Sequence, residues 1–309
     1  MMNQENEIIH YILNKKRIQK YWDKAQLSDI VKTNDLHGIR YLINHKTIDP
    51  ITPSNDAVMY SCEFDNLEML KYLVMRGALF PESNGPIVCA CANGHLEIVK
   101  YMISIGCDFM RGNCVCIKAA SKNGHLSVVE YIFELYMKIN DKNINEKHIL
   151  VLNCLIWATI NGHLHVIKFF VEKHPYKCLL DDCINYACQY NHLNIVKYFI
   201  EKKHADPAFN YDEPIILATR YGNFDIIKYL HENDANIHAL NDRPLMIACE
   251  NGFLEIVKYL VENGVDITTQ NNLALFQANV HGHTHIADYL ISQGATYSEN
   301  ENLIIEGID

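Results

Sequence analysis

The chain lacks any stretch long and apolar enough to cross a bilayer. No apolar segment follows the opening MMNQENEIIHYILNKKRIQK, and the longest apolar tract, Ile149 to Ile160, is interrupted by Asn153 and falls short of the roughly 20 residues a span requires. It also lacks basic excess. With 27 Lys and Arg against 37 Asp and Glu, the formal charge is -10, whereas nonspecific nucleic-acid binding needs clustered cations. The short run Lys15, Lys16, Arg17 and Lys20 reads as the solvated face of an N-terminal helix. Phosphate loops, nucleophile elbows and zinc-protease motifs are missing as well. These absences lead to the expectation of a soluble, intracellular, noncatalytic protein that binds neither nucleic acid nor membrane and needs no cofactor. With 49% hydrophobic and 21% charged residues, the chain has ample material for a core.

What is present is repetition. NGHLEIVKYM at Asn93 to Met102 returns as NGHLSVVEYI, NGHLHVIKFF, YNHLNIVKYF, YGNFDIIKYL, NGFLEIVKYL and HGHTHIADYL. The aromatic of each copy falls at Tyr41, Tyr72, Tyr101, Tyr131, Phe169, Tyr198, Tyr229, Tyr259 and Tyr289, with spacings of 31, 29, 30, 38, 29, 31, 30 and 30 residues. A period near 30 is the mark of a stacked solenoid, which presents long surfaces rather than enclosed pockets.

Each unit reads helix, tight turn, helix. Pro86, Pro214 and Pro244 stand ten residues before the leading Leu or Phe of the second helix, where proline suits the first turn of the first helix because no amide proton is needed there. Gly94, Gly124, Gly162, Gly222, Gly252 and Gly282 mark the turn, with Asn34, Asp65 and Asn191 in the other copies; all tolerate left-handed backbone. Six residues before the leading residue, Ala90, Ala120, Ala158, Ala187, Ala218, Ala248 and Ala278 let the helices of a unit approach closely. The second helix is apolar at offsets 0, 2, 3, 5 and 6, as in Leu254, Ile256, Val257, Tyr259 and Leu260. The nine aromatic rings are expected to form a buried spine, each contributing up to about 4 to 6 kcal/mol. Lys71, Lys100, Lys168, Lys197, Lys228 and Lys258 form an outward column; Glu68, Glu97, Asp225 and Glu255 precede their own lysines by three residues, a pairing distance that predicts a neutralised face.

Eleven cysteines invite a metal or disulfide reading, which their register weakens. Cys62, Cys91, Cys188 and Cys249 share one slot, filled elsewhere by Val31, Ser121, Thr159, Thr219 and Asn279, so they are expected to be reduced packing residues. His281, His283 and His285 alternate as metal ligands can, yet His283 occupies a slot also held by His95, His125, His163 and His192. No metal is assigned.

These columns resemble the ankyrin repeat, whose pattern T-P-L-H-x-A-A-x-x-G-H-L-x-I-V-K-x-L-L aligns without a gap from Pro86 through Met102 and again from Pro214 and Pro244. The resemblance implies an all-α ankyrin-repeat solenoid of about nine units, whose concave face binds a protein partner. The histidine that usually follows Pro-Leu is replaced by Val88, Ile216 and Met246, and the short period predicts irregular or shortened β-turns. The wording is also similar to ankyrin proteins of giant amoebal DNA viruses, which makes a host protein the expected partner; with fifteen residues after Gly294, no F-box of the kind poxviral relatives append is expected. The expected organisation is capping helices over 1–25, the array over 26–296 with an insertion within 133–148, and a tail over 297–309. The expected oligomeric state is a monomer. Partner contacts are assigned to positions that vary four and three residues before the leading residue, namely Phe64, Lys122, Tyr190, Arg220 and Tyr221, and to Trp157 on its first helix. Two alternatives stand beside this reading: a metal-binding protein through the three C-terminal histidines, and a passive substrate of an asparagine hydroxylase at Asn236.

Overall fold

The computed structural model describes residues 27–44, 56–78, 84–139, 144–173 and 178–296. Among them it contains nine helix pairs and no strand. The pairs are α1 Leu27–Lys32 with α2 Leu36–Asn44, α3 Asp56–Glu63 with α4 Leu67–Met75, α5 Gly85–Asn93 with α6 Leu96–Ser104, α7 Arg111–Lys122 with α8 Leu126–Ile139, and α9 Ile144–Ile160 with α10 Leu164–Lys173. They continue with α11 Cys178–Gln189 and α12 Leu193–Lys197, α13 Phe209–Arg220 and α14 Phe224–Glu232, α15 Ala239–Glu250 and α16 Leu254–Glu262, and α17 Thr269–Val280 and α18 Thr284–Ser292. The expected cap over 1–25 and tail over 297–309 lie outside the described residues. The chain divides into two compact units, residues 1–154 and 155–309, with the boundary inside α9, each considered by itself below.

The turn inside each pair has one chemistry throughout. Gly94 takes φ of 80°, Gly162 79° and Gly252 79°, while Asn34, Asp65 and Asn191 adopt φ of 53°, 59° and 60°. The residue after this left-handed position returns its amide to the alanine column: His95 N–H reaches the Ala90 carbonyl at 3.0 Å, His192 N–H the Ala187 carbonyl at 2.9 Å, and His283 N–H the Ala278 carbonyl at 2.8 Å. This six-to-one bond satisfies a carbonyl that the helix end would otherwise leave open. Ala90, Ala120, Ala187, Ala218, Ala248 and Ala278 are fully buried, and in each unit consecutive first helices stack against one another.

Among the described residues no hairpin joins one pair to the next. Gly112, Asn113 and Cys114 run left-handed in succession, as do Asn210, Tyr211 and Asp212, and Leu240, Asn241 and Asp242. Regular helix begins only after each triplet, which leaves Pro214 and Pro244 in the first turn as expected. Side-chain hydrogen bonds hold these connections. Asp206, Asn236 and Asp266 each accept the amide two residues on, at 2.9, 2.9 and 2.8 Å. Asp212 accepts the Asn236 amide of the following repeat at 2.9 Å, and Asp242 accepts the Thr269 hydroxyl at 2.6 Å.

The aromatic spine is corrected by the structure. Tyr41, Tyr72, Tyr101, Tyr131, Phe169, Tyr198, Tyr229, Tyr259 and Tyr289 are all half-buried. The core instead takes offsets 2, 3 and 6, as in Ile98, Val99 and Met102 or Ile226, Ile227 and Leu230. Adjacent offsets 5 and 6 diverge by 100° around the helix, so only one can point at the first helices. The ring at offset 5 lies along the outer face, where the cation of the preceding repeat covers it. Arg40 lies 5.2 Å from the Tyr72 ring centroid and Lys100 5.8 Å from Tyr131; in the second unit Lys168 lies 5.5 Å from Tyr198 and Lys197 5.2 Å from Tyr229. Each contact of this kind contributes about 0.5 to 1 kcal/mol when exposed.

The long spacing before Leu164 is absorbed by longer helices, 14 residues in α8 and 17 in α9 against nine in α6 or α16. At Tyr198–Lys202 the second helix widens into a π-helical turn. Residue numbering explains it. Gly264 and Asp234 take left-handed backbone five residues after their aromatic, but the corresponding His204 stands six after Tyr198. The π turn is the one-residue insertion itself.

Candidate protein-interaction surface

A first helix buries the positions six and five residues before the leading residue of its partner helix. The positions seven, four and three before it are neighbours on the other face, because residues three and four apart on a helix share a side. In the second unit this open face gathers large side chains. Trp157 is 39% exposed, Tyr190 45% and Tyr221 50%, on or just beyond α9, α11 and α13. The Gln189 amide donates to the Tyr221 hydroxyl at 2.9 Å, which ties two consecutive repeats together. Arg220 is exposed beside Tyr221. Rigid aromatics with an adjacent guanidinium supply contact area at little entropic cost, the composition of interface anchors.

The other two assigned residues lie in the first unit. Phe64 is half-buried, stacked 6.1 Å from Tyr60 with Lys32 5.8 Å from its centroid; its face is occupied within the chain. Lys122 is exposed at the end of α7. Two residues escaped the sequence reading. Tyr186 and Leu217, both half-buried, occupy the slot of Trp157 seven before the leading residue, so the register of Trp157 was the signal that could have found them.

The histidine slot is structural. His95 Nε2 bonds the Glu63 carbonyl at 2.9 Å, His125 the Ala92 carbonyl at 2.9 Å, His192 the Ile160 carbonyl at 2.9 Å and His283 the Glu250 carbonyl at 3.0 Å. Each ring reaches back to the turn of the repeat before it; His125, His192 and His283 lie against that repeat's left-handed glycine, and His95 stands beside left-handed Asp65. A Cβ on Gly162 would stand 2.7 Å from His192, and one on Gly252 2.7 Å from His283. Where histidine is replaced, Asn223 reaches the Cys188 carbonyl at 2.7 Å and Phe253 packs against Gly222. In the C-terminal cluster, His281 Nδ1 bonds the Gln277 carbonyl at 2.9 Å, so two of the three rings face backbone oxygens. Among the described residues no group of three or more His, Cys, Asp or Glu could hold a metal ion.

The cysteine slot is buried and its thiols are free; Cys62, Cys91, Cys188 and Cys249 are fully covered. Burial pushes the Cys249 thiol up to about 12 and raises Cys62 and Cys188 as well, while Cys91 is raised first by its hydrogen bond with Cys116 and then by burial, so all four remain protonated and poorly nucleophilic.

Among the described residues no helix is long and apolar enough to cross a membrane. Segments covering 1–113, 79–143, 118–210, 155–241 and 215–301 match the family model for ankyrin repeats in three copies. A 38-residue stretch, 12% of the chain, is 53% identical to an ankyrin repeat protein of Acanthamoeba polyphaga mimivirus. The chain covers 29% of that relative's length. The turn bonds, the alanine column and the near-continuous family match lead to one conclusion: the chain belongs to the ankyrin-repeat family.

Proposed function

We propose that the chain is a noncatalytic protein-interaction module that holds a partner protein against the first-helix face of the second unit. Ankyrin repeats are generally protein-protein interaction modules. The observation that carries the reading is the set Trp157, Tyr190 and Tyr221, kept 39 to 50% exposed in successive repeats whose other columns are committed to packing. Arg220 adds a charge-assisted donor beside them. The mimivirus similarity supports a host protein as the partner. The partly exposed Trp157 and the Gln189–Tyr221 bond favour a polar, hydrogen-bonded contact around an aromatic centre.

The test is the double variant Tyr190→Ala with Tyr221→Ala. Its helical circular dichroism and melting temperature should match the parent, because both rings lie outside the packed columns. Proteins captured from host lysate by the parent are identified, purified and titrated against both forms. The double variant should bind at least about tenfold more weakly, since anchor aromatics commonly contribute more than 1 kcal/mol each. Equal affinity would remove this face from consideration.

A further inference from the structure

The outer lysine column is neutralised in some repeats and bare in others. Lys71 pairs with Glu68 at 3.2 Å, Lys100 with Glu97 at 2.7 Å and Lys258 with Glu255 at 3.5 Å. The expected Asp225–Lys228 pair is absent among the described residues, and Lys228 lies 3.9 Å from the Phe224 centroid instead. The position three before Lys168 is His165, and that before Lys197 is Asn194, so neither has the carboxylate that pairs with Lys71, Lys100 and Lys258, although Glu172 and Glu201 stand four residues on. Those two lysines belong to consecutive repeats of the second unit. The π turn adds Lys202 and Lys203 to the same place. None of the four forms an ion pair among the described residues, so the expected neutralised face holds at Lys71, Lys100 and Lys258 and not here.

The four lysines line an open groove of about 470 Å³ between α10 and the α12 π turn. At its base is Tyr198, with Lys168 5.5 Å and Lys203 5.7 Å from its ring centroid. The Tyr198 hydroxyl is buried and has no hydrogen-bond partner, a costly arrangement that an acceptor would relieve. Two carboxylates share the groove. Glu201 accepts the Tyr229 hydroxyl at 3.1 Å, and Glu172 lines the wall. Four ammonium groups against two carboxylates leave the groove cationic on a chain of net charge -10.

We propose that this groove binds a small, multiply phosphorylated ligand, with phosphate oxygens seated between Lys168 and Lys203 and one of them accepting the Tyr198 hydroxyl. The volume suits a single sugar- or inositol-sized ring. Several phosphates are required because four point charges spread around one aromatic offer no bidentate fork for a single anion. The π turn is then a functional insertion, placing Lys202 and Lys203 ahead of the left-handed residue where the following repeats carry Glu232 and Asn233 or Glu262 and Asn263. This site lies on second helices and does not depend on the partner-binding reading, so either can fail alone.

Calorimetry with the full chain and inositol hexakisphosphate tests it, beside flotation with phosphatidylcholine vesicles containing or lacking a phosphatidylinositol bisphosphate. Saturable binding in either arm supports the site, and the arms tell a soluble source from a lipid headgroup. Lys168→Ala with Lys203→Ala should weaken binding about tenfold or more, because charge-assisted hydrogen bonds are lost. Lys100→Ala with Lys258→Ala removes the same charge from neutralised repeats and should leave it nearly unchanged. Tyr198→Phe should weaken binding while leaving unfolding unaffected or slightly harder, since the hydroxyl has no partner to lose. No saturable binding in both arms overturns the proposal, as does equal weakening by the two lysine pairs, which would mean that binding follows net charge alone.

Discussion

Glycine in the turn is held by two separate demands, and individual residues separate them. Gly264 has φ of 90° with nothing within 4 Å of an added Cβ, whereas Gly162 has φ of 79° and His192 at 2.7 Å. Gly264→Ala should therefore cost only the left-handed strain, about 1 to 2 kcal/mol. Gly162→Ala should cost about 1 kcal/mol more, because the imidazole must move off the Ile160 carbonyl; urea unfolding of both variants measures the difference, and equal costs would sink the ring-on-glycine account. The buried thiols carry a second residue-level consequence. Burial raises Cys249 from 9.0 to about 12, and Cys154 and Cys183 also to about 12. Folding holds these protons more tightly, so stability is fully present below about pH 9 and is lost as pH climbs toward 12. Within that window each such group removes about 1.4 kcal/mol per pH unit, and Tyr229, pushed up to about 12 by burial and Glu201, adds with the same sign. Cys249→Ala should flatten the decline by about one proton, read from unfolding at pH 8, 9.5 and 10.5.

At the level of the helix and turn, much was legible because it is local and periodic. Left-handed glycines, first-turn prolines and the alanine column announce themselves by residue type at fixed spacing, and the structure places them accordingly. The buried aromatic spine was misread because offsets 5 and 6 are both apolar, and which one faces the first helix depends on packing that spacing does not encode. The bare lysines are marked in the sequence by His165 and Asn194, which stand where the paired repeats carry a glutamate. The π turn was not legible: a spacing of 31 in place of 30 can be accommodated in any loop, and only the backbone puts it at Tyr198–Lys202. Of the assigned interaction residues, four fall in one unit and Phe64 is engaged with Tyr60. Deleting Lys203 should return this repeat to the common length and convert the π turn to regular α-helix. The melting temperature should hold or rise, because an insertion is removed and no buried side chain is lost; a marked fall would mean that the wide turn is required by packing rather than tolerated.

In the second unit the helix pairs rest on their sequence neighbours: α11 on α13, α13 on α15 and α15 on α17, with α12 against α14 and α16 against α18. A solenoid built this way has no central core whose loss melts everything together, and its stability is a sum of repeat and interface terms. Damage should therefore spread by adjacency. Ala218, fully buried at the turn end of α13, receives the Asn223 amide on its carbonyl at 2.8 Å and leaves no volume for a larger side chain. Ala218→Leu should overpack that contact at a cost of about 1 to 3 kcal/mol. Native-state hydrogen exchange should then show lost protection in α11, α13 and α15, the flanking first helices, and in α14. Helices α3 to α6, several repeats away in the other unit, should exchange at the parent rate under the same conditions, because local opening draws only on nearby interfaces. Uniform loss of protection from α3 to α17 would show that the array unfolds as one cooperative body, and the nearest-neighbour account of its stability would have to be abandoned.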